Sequence, residues 1–236
     1  VSTSPPPQTL GENFDRAIVY ALHIHAAQLR KKTTVPYSAH LLGVCAIALE
    51  FGATETEAIG ALLHDAVEDC GGPPQLDAIR LRFGAAVADI VKGCSDSFET
   101  DPGARKASWY DRKLAYIEGL KDHASGAASI LLVSASDKLY NLLATYNDVR
   151  RAGQDVYTRF NAKKYGTLWY YRALSDAFQA HPGRHFEAAS RLGELVDELA
   201  GKSTTASELL AAFAIDSTVD DYEKGALIRT TAAPVA

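Results

Sequence analysis

Four of the six residues from 64 to 69 can ionise: His64, Asp65, Glu68 and Asp69 stand in the stretch ALLHDAVEDC, which is otherwise Ala, Leu and Val with a closing Cys. On a continuous helix His64 and Glu68 are one turn apart, as are Asp65 and Asp69, so the four groups crowd adjoining strips of one surface. Three carboxylates that close repel one another, and the apolar flanks predict a substantially buried helix, so something must compensate the charge. A divalent metal ion would do so. Solvent would also do so if the stretch formed the wet end of a helix with His64 packed.

A metal site of imidazole and carboxylate oxygen needs further ligands from other segments and keeps water in the remaining positions. His40, which follows PYSA at a helix start, and Asp137, inside ILLVSASDK, are the candidates. His40 in that place also suits a capping or packed role. Asp137 is costly in so apolar a run without a partner, and Lys138, an arginine or a metal would each serve.

The order His40, then the His64 and Asp65 doublet, then Asp137 resembles the H...HD...D signature of the HD-domain superfamily of metal-dependent phosphohydrolases. QLRKKTTVPYSAH, LLHDAVED and SDKLYN together resemble the hydrolase domain of the RelA/SpoT enzymes and the small alarmone hydrolases of the metazoan SpoT homologue type, over residues 12–180. The resemblance implies an all-α fold, a single HD-domain helical bundle. In it His40, His64, Asp65 and Asp137 hold one divalent ion, usually manganese, although iron, zinc or cobalt suit the same ligands. It assigns Glu68 and Asp69 to positioning and deprotonating the attacking water. The reaction implied is hydrolysis of the 3′-pyrophosphate of guanosine tetra- or pentaphosphate to GDP or GTP and pyrophosphate. Another nucleotide, a 3′-phosphorylated nucleotide cofactor, or a non-catalytic nucleotide-binding module are the alternative readings, since one scaffold carries many substrates.

Arg30, Lys31 and Lys32 lie one short loop before His40 and suit phosphates or a purine face, or form a solvated basic turn. The resembled family has an RKxG-type motif there, and this loop is one residue longer and lacks its Gly. Asn141 matches the nucleotide-contacting Asn of the family's ADRLHN motif, with Ser136 and Tyr140 replacing Ala and His. Arg112 and Lys113 resemble the family's RK pair and also fit a solvated helical face. In RFNAKKYGTLWYYRAL, aromatic residues alternate with cations, a pattern of a packed helix whose tips could line a pocket. His23 and His25, two apart, show no ligand spacing and read as packing or surface residues.

Helices must position these groups, and helical periodicity runs through the chain without strand alternation. The spacing predicts helices over 14–29, 39–51, 54–69, 76–96 in two parts, 109–123, 128–151, 157–181 and 185–202, with Thr54 and Glu57 in capping-box spacing. CGGPPQ is a breaker and 97–108 a polar loop. Three segments follow: a flexible arm over 1–11, an HD-type hydrolase domain over 12–200 and a loosely attached tail over 201–236. The residues after 180 are too few for a synthetase domain, so the enzyme is expected to act alone. Nothing in the sequence sets an oligomeric state.

The 236 residues suffice for one sizeable core. A net charge of -5 argues against a partner such as a nucleic acid polymer, and no apolar run is long enough for a membrane span. Cys45, Cys70 and Cys94 have no metal-type spacing and, without a signal-peptide pattern, predict reduced thiols and a cytoplasmic protein acting on a small-molecule nucleotide.

Overall fold

The structure, a computed structural model, describes residues 9–95, 107–121 and 127–231. Among these every regular element is helical, and the one extended pairing is a bridge between Leu29 and Pro36. The all-α expectation holds. Most of the predicted arm (1–8), most of the polar loop (97–106), the ends of two predicted helices (96 and 122–123) and the last five residues lie outside the described residues. The chain divides into two compact units, Val1–Thr100 with Ala128–Asp137, and Asp101–Ala127 with Lys138–Ala236.

The first unit contains α1 (Glu12–Ile24), α2 (Ser38–Glu50), α3 (Glu55–Leu63), the single turn α4 (Ala66–Asp69), α5 (Pro73–Phe83), α6 (Ala85–Cys94) and the start of α8 (Ala128–Ala152). Phe14, Ala17 and Ala21 form the buried stripe of α1, and Glu55 Oε1 accepts the N–H groups of Gly11 and Phe14 at 3.2 Å, satisfying donors that a helix start leaves open. α1 stops at Ile24, shorter than the predicted 14–29, because the chain turns at His25 into the loop that closes on the Leu29 and Pro36 bridge.

Residues 57–63 of α3 are all buried, which makes it the central rod of this unit. Its predicted capping box is present: Thr54 N donates to Glu57 Oε2 at 2.7 Å and Glu57 N donates to Thr54 Oγ1 at 3.4 Å. The second carboxylate oxygen of Glu57 accepts from Ser129 Oγ at 2.7 Å, so the residue that starts α3 also anchors the first turn of α8. Gly93 lets α8 lie close to α6, since a Cβ there would fall 2.4 Å from Ile130 Cδ1. Two helices that each carry a site residue are thereby fixed to one frame.

The second unit comprises α7 (Trp109–Lys121), the rest of α8, a 3₁₀ segment (Gln154–Arg159), α9 (Lys163–Gln179), α10 (His185–Ala200), α11 (Ala206–Ile215), α12 (Asp221–Lys224) and α13 (Ala226–Thr231). The aromatic helix α9 buries Leu168, Trp169, Tyr170, Leu174 and Phe178. It is a packed helix, as its pattern suggests.

The segment expected to be a loose tail is instead anchored. Thr205 and Glu208 form a second capping box at the start of α11, and Phe213 is fully buried, stacked on Trp169 with 9° between ring planes. Farther on, Glu223 accepts from Trp109 N and Asn161 Nδ2, and Asp111 accepts from Ala226 N. ASELLAAFAI hides this role because it is apolar on every side, so no amphipathic stripe announces which face is covered. Phe213→Ala is expected to cost about 3–5 kcal/mol of stability, read by urea denaturation with tryptophan fluorescence, since Trp109 and Trp169 both touch that ring. A loss below about 0.5 kcal/mol would mean that α11 is held loosely.

Candidate metal centre

The helix expected over 54–69 breaks in the middle. α3 ends at Leu63 and the single turn α4 begins at Ala66, so His64 and Asp65 occupy the junction between them. Adjacent residues of a straight helix do not face each other. Here His64 Nε2 and Asp65 Oδ2 lie 3.0 Å apart, and the break allows it. His64 Nδ1 is 2.8 Å from the carbonyl oxygen of Ala61, which would otherwise be reserved for a residue one turn further on. The carbonyl can only accept, so Nδ1 carries the hydrogen and Nε2 of the neutral ring presents a lone pair.

α2 delivers His40 to the same point. Its Nε2 lies 3.2 Å from His64 Nε2, 3.1 Å from Asp65 Oδ2 and 3.4 Å from Asp137 Oδ1. Asp137, on α8, places Oδ1 3.6 Å from His64 Nε2. Four side chains from three separated segments thus converge, and ligand atoms of His40, His64 and Asp65 all lie within 4.8 Å of one another. His40, His64 and Asp137 are buried, whereas 22% of the Asp65 side chain remains exposed, leaving one side of the cluster reachable.

The residues present fit a divalent ion. With His64 neutral, its Nε2 lone pair faces two carboxylate oxygens and a second imidazole nitrogen, an arrangement that is repulsive in a buried place unless a proton or a cation sits among them. Two imidazoles with two carboxylates form a donor set suited to first-row divalent ions.

Glu68 and Asp69 follow on α4, both exposed, and Gln28 Nε2 donates to Asp69 Oδ2 at 2.7 Å. In the preceding loop Arg30 is half-buried, with its N–H donating to Val35 O at 2.9 Å, while Lys31 and Lys32 are exposed. Lys32 has φ 57°, a left-handed conformation that favours Gly, so a lysine occupies the position of conformational need in a loop without glycine. Arg112, Lys113 and Asn141 belong to the second unit. There Arg112 Nε donates to Ala107 O at 3.0 Å, Lys113 Nζ lies 4.9 Å from the Tyr170 ring centroid, and Asn141 is half-buried with its backbone carbonyl accepting from Thr145 Oγ1.

Sequence reading missed Tyr37, whose hydroxyl donates to Asp65 Oδ2 at 2.5 Å, and Gln28. Burial, and then the charge of Asp65, hold the Tyr37 phenol far above its ordinary value, so it remains a donor. A usable signal was present. Tyr37 precedes His40 by three residues, the spacing that puts two side chains on one helical face, and their ring centroids are 5.1 Å apart.

A family model described as HD domain matches residues 17–168. The chain is 26% identical over 199 residues to the probable GTP diphosphokinase RSH3, chloroplastic, of Arabidopsis thaliana, covering 79% of this chain and 27% of that protein. It is 32% identical over 127 residues to a probable GTP pyrophosphokinase of Mycobacterium leprae, covering 54% and 15%. The chain therefore spans only a minor part, between 15% and 27%, of the length of these curated relatives. A solved structure of a metazoan ortholog of SpoT, reported to hydrolyse ppGpp and to play a role in starvation responses, superposes with TM-score 0.60 at 23% identity, covering 84% of this chain and 98% of that one. At that identity the likeness speaks for the fold.

In the metal-free protein burial pushes the His64 pKa down, but the adjacent Asp65 and Asp137 together outweigh it and hold the imidazole well above 6.5. For Asp65 burial again opposes, and His64 with His40 prevails, holding the carboxyl well below 3.8. The raised imidazole pKa contributes stability that is full below 6.5 and is lost as pH climbs through the raised value. The lowered carboxyl contributes above 3.8 and fails only as pH falls through its depressed value. Metal-free protein is therefore expected to lose unfolding free energy in urea as pH rises beyond 6.5. Manganese binding at pH 6.5 should release close to one proton per ion, measured by calorimetry in buffers of different ionisation enthalpy. Release of no proton would mean that His64 is already neutral at that pH or is not a ligand.

Proposed function

The chain belongs to the HD-domain family, and on that premise we propose that it is a metal-dependent phosphohydrolase removing the 3′-pyrophosphate of guanosine tetra- and pentaphosphate, with GDP or GTP and pyrophosphate as products. The carrying observation is the convergence of His40, His64, Asp65 and Asp137 on one point. The guanosine-nucleotide chemistry in the names of the Arabidopsis and Mycobacterium relatives, and the ppGpp hydrolysis reported for the metazoan ortholog of SpoT, support this substrate class.

In this reading the four ligands hold a single divalent ion, manganese before iron, zinc or cobalt. Such an ion lowers the pKa of water and stabilises charge developing on phosphoryl oxygens. The chain's own residues do the rest. Asp69 and Glu68, exposed beside the junction, accept the proton of the attacking water. The guanidinium of Arg30 binds phosphate or stacks on the purine and the ammonium groups of Lys31 and Lys32 bind phosphate, while the resemblance alone assigns Arg112, Lys113 and Asn141 to substrate contact. The hydrolase region is assigned to 12–200 and the protein to the cytoplasm, acting on a small-molecule nucleotide. Among the described residues no helix is long and apolar enough to cross a membrane.

A second reading, hydrolysis of a different nucleotide, draws on positions 136 and 140. Ser136 is fully buried with its hydroxyl donating to Leu132 O at 2.8 Å, and Tyr140 is half-buried, in places where the resembled motif has Ala and His. Purified protein incubated with guanosine tetraphosphate and manganese is expected to release pyrophosphate, and His64→Ala or Asp65→Ala should reduce the rate about a hundredfold or more. Release no faster than that of the two variants rejects the leading reading. Faster hydrolysis of another member of a nucleotide panel selects the second.

A further inference from the structure

His25 reads in the sequence as a packing residue, and its ring is 3% exposed. Its contacts are more specific than packing requires. Nδ1 lies 2.6 Å from Gln28 Oε1, and Gln28 Nε2 is 2.7 Å from Asp69 Oδ2. The Asp69 carboxylate can only accept, so the Gln28 amide must turn its nitrogen toward Asp69 and its oxygen toward His25. The oxygen also only accepts, so His25 Nδ1 carries the hydrogen. The Asp69 carboxylate therefore fixes which way the Gln28 amide points, and the buried His25 imidazole answers it with a hydrogen on Nδ1.

The same ring acts in a second direction. It stacks on Tyr37 with centroids 5.3 Å apart and 25° between planes, and Tyr37 donates to Asp65 Oδ2. The Cys70 sulfur lies 3.4 Å and 3.6 Å from the two His25 nitrogens and donates to Ile24 O, which closes the remaining side of the imidazole. Gln28, Asp69 and Cys70 also line a cavity of about 590 Å³, so the carboxylate that Gln28 holds faces open space that water can enter.

We propose that His25 is a positioning residue which sets the Asp69 carboxylate through Gln28 and the Asp65 carboxylate through Tyr37, coupling the proton-accepting group to the metal ligands. The Asp69 branch rests on the role given to Asp69 above. The Asp65 branch does not. Orientation of a ligand or base by its outer hydrogen bonds commonly contributes about 10–100-fold in affinity or rate.

The test separates the two branches in the full chain. Gln28→Leu and His25→Phe, which keeps the stacking but removes the donor, should each lower kcat on guanosine tetraphosphate about tenfold or more, with KM and manganese affinity unchanged. Combining them should add nothing further, because both interrupt one relay. Tyr37→Phe, with its ring retained, should weaken manganese binding about tenfold or more in calorimetric titration of metal-stripped protein, and His25→Ala should impair both binding and kcat. If wild type hydrolyses the nucleotide while Gln28→Leu and His25→Phe keep its kcat, or if the two losses multiply, the coupling is overturned. If wild type is inactive, the proposed reaction fails, and manganese titrations decide the inference alone: unchanged affinity in Tyr37→Phe and His25→Ala overturns it.

Discussion

The structure turns on a buried meeting of lone pairs. His40 and His64 point nitrogen atoms at each other from 3.2 Å, with Asp65 and Asp137 oxygens beside them, and a protein interior tolerates this only when a proton or a cation lies among them. Each neighbouring feature serves that constraint. The Ala61 carbonyl fixes the hydrogen of His64 on Nδ1, the Tyr37 hydroxyl meets Asp65 from outside, and the break between α3 and α4 lets two consecutive residues aim inward together. A continuous helix would have spread His64 and Asp65 over different faces.

A buried carboxylate ties two of the three contributing segments together. Glu57 is the shared fastener, since one oxygen closes the cap of α3 and the other accepts from Ser129 on α8. It is 3% exposed, yet both its oxygens are bonded, which is how a carboxylate can be buried without a large penalty. α3 carries His64 at its C-terminal end and α8 carries Asp137 about two turns beyond Ser129. Their relative position is therefore set at one carboxylate rather than left to apolar contacts alone.

Much of this could be read from the residues. Period three and four marked the helices, Thr54 and Glu57 marked the start of α3, and the placement of His40, His64, Asp65 and Asp137 in one cluster followed the pattern they resemble. The break after Leu63 was not legible, because LLHDAVED has neither Gly nor Pro and its disruption comes from a side chain bonding a backbone carbonyl. The roles of Gln28 and His25 were hidden for a related reason. Neither stands in ligand spacing, and their importance lies in which atom of an amide faces which neighbour. The anchoring of α11 was lost because its apolar residues surround the helix instead of marking one face.

The proposed polyanionic substrate sets a charge problem for so acidic a cluster. The whole chain carries -5, so any attraction for phosphates must be local. In the proposed site a divalent ion is neutralised by Asp65 and Asp137, which leaves Glu68 and Asp69 as the uncompensated charges that a phosphate would meet. Arg30, Lys31 and Lys32 stand in the loop that Gln28 begins, and Gln28 is bonded to Asp69, so cations and carboxylates are joined through a few residues of one loop. The Leu29 and Pro36 bridge closes that loop, and Tyr37 immediately after it reaches Asp65. The loop thus has two tasks, presenting cations to solvent and supporting the carboxylates from outside.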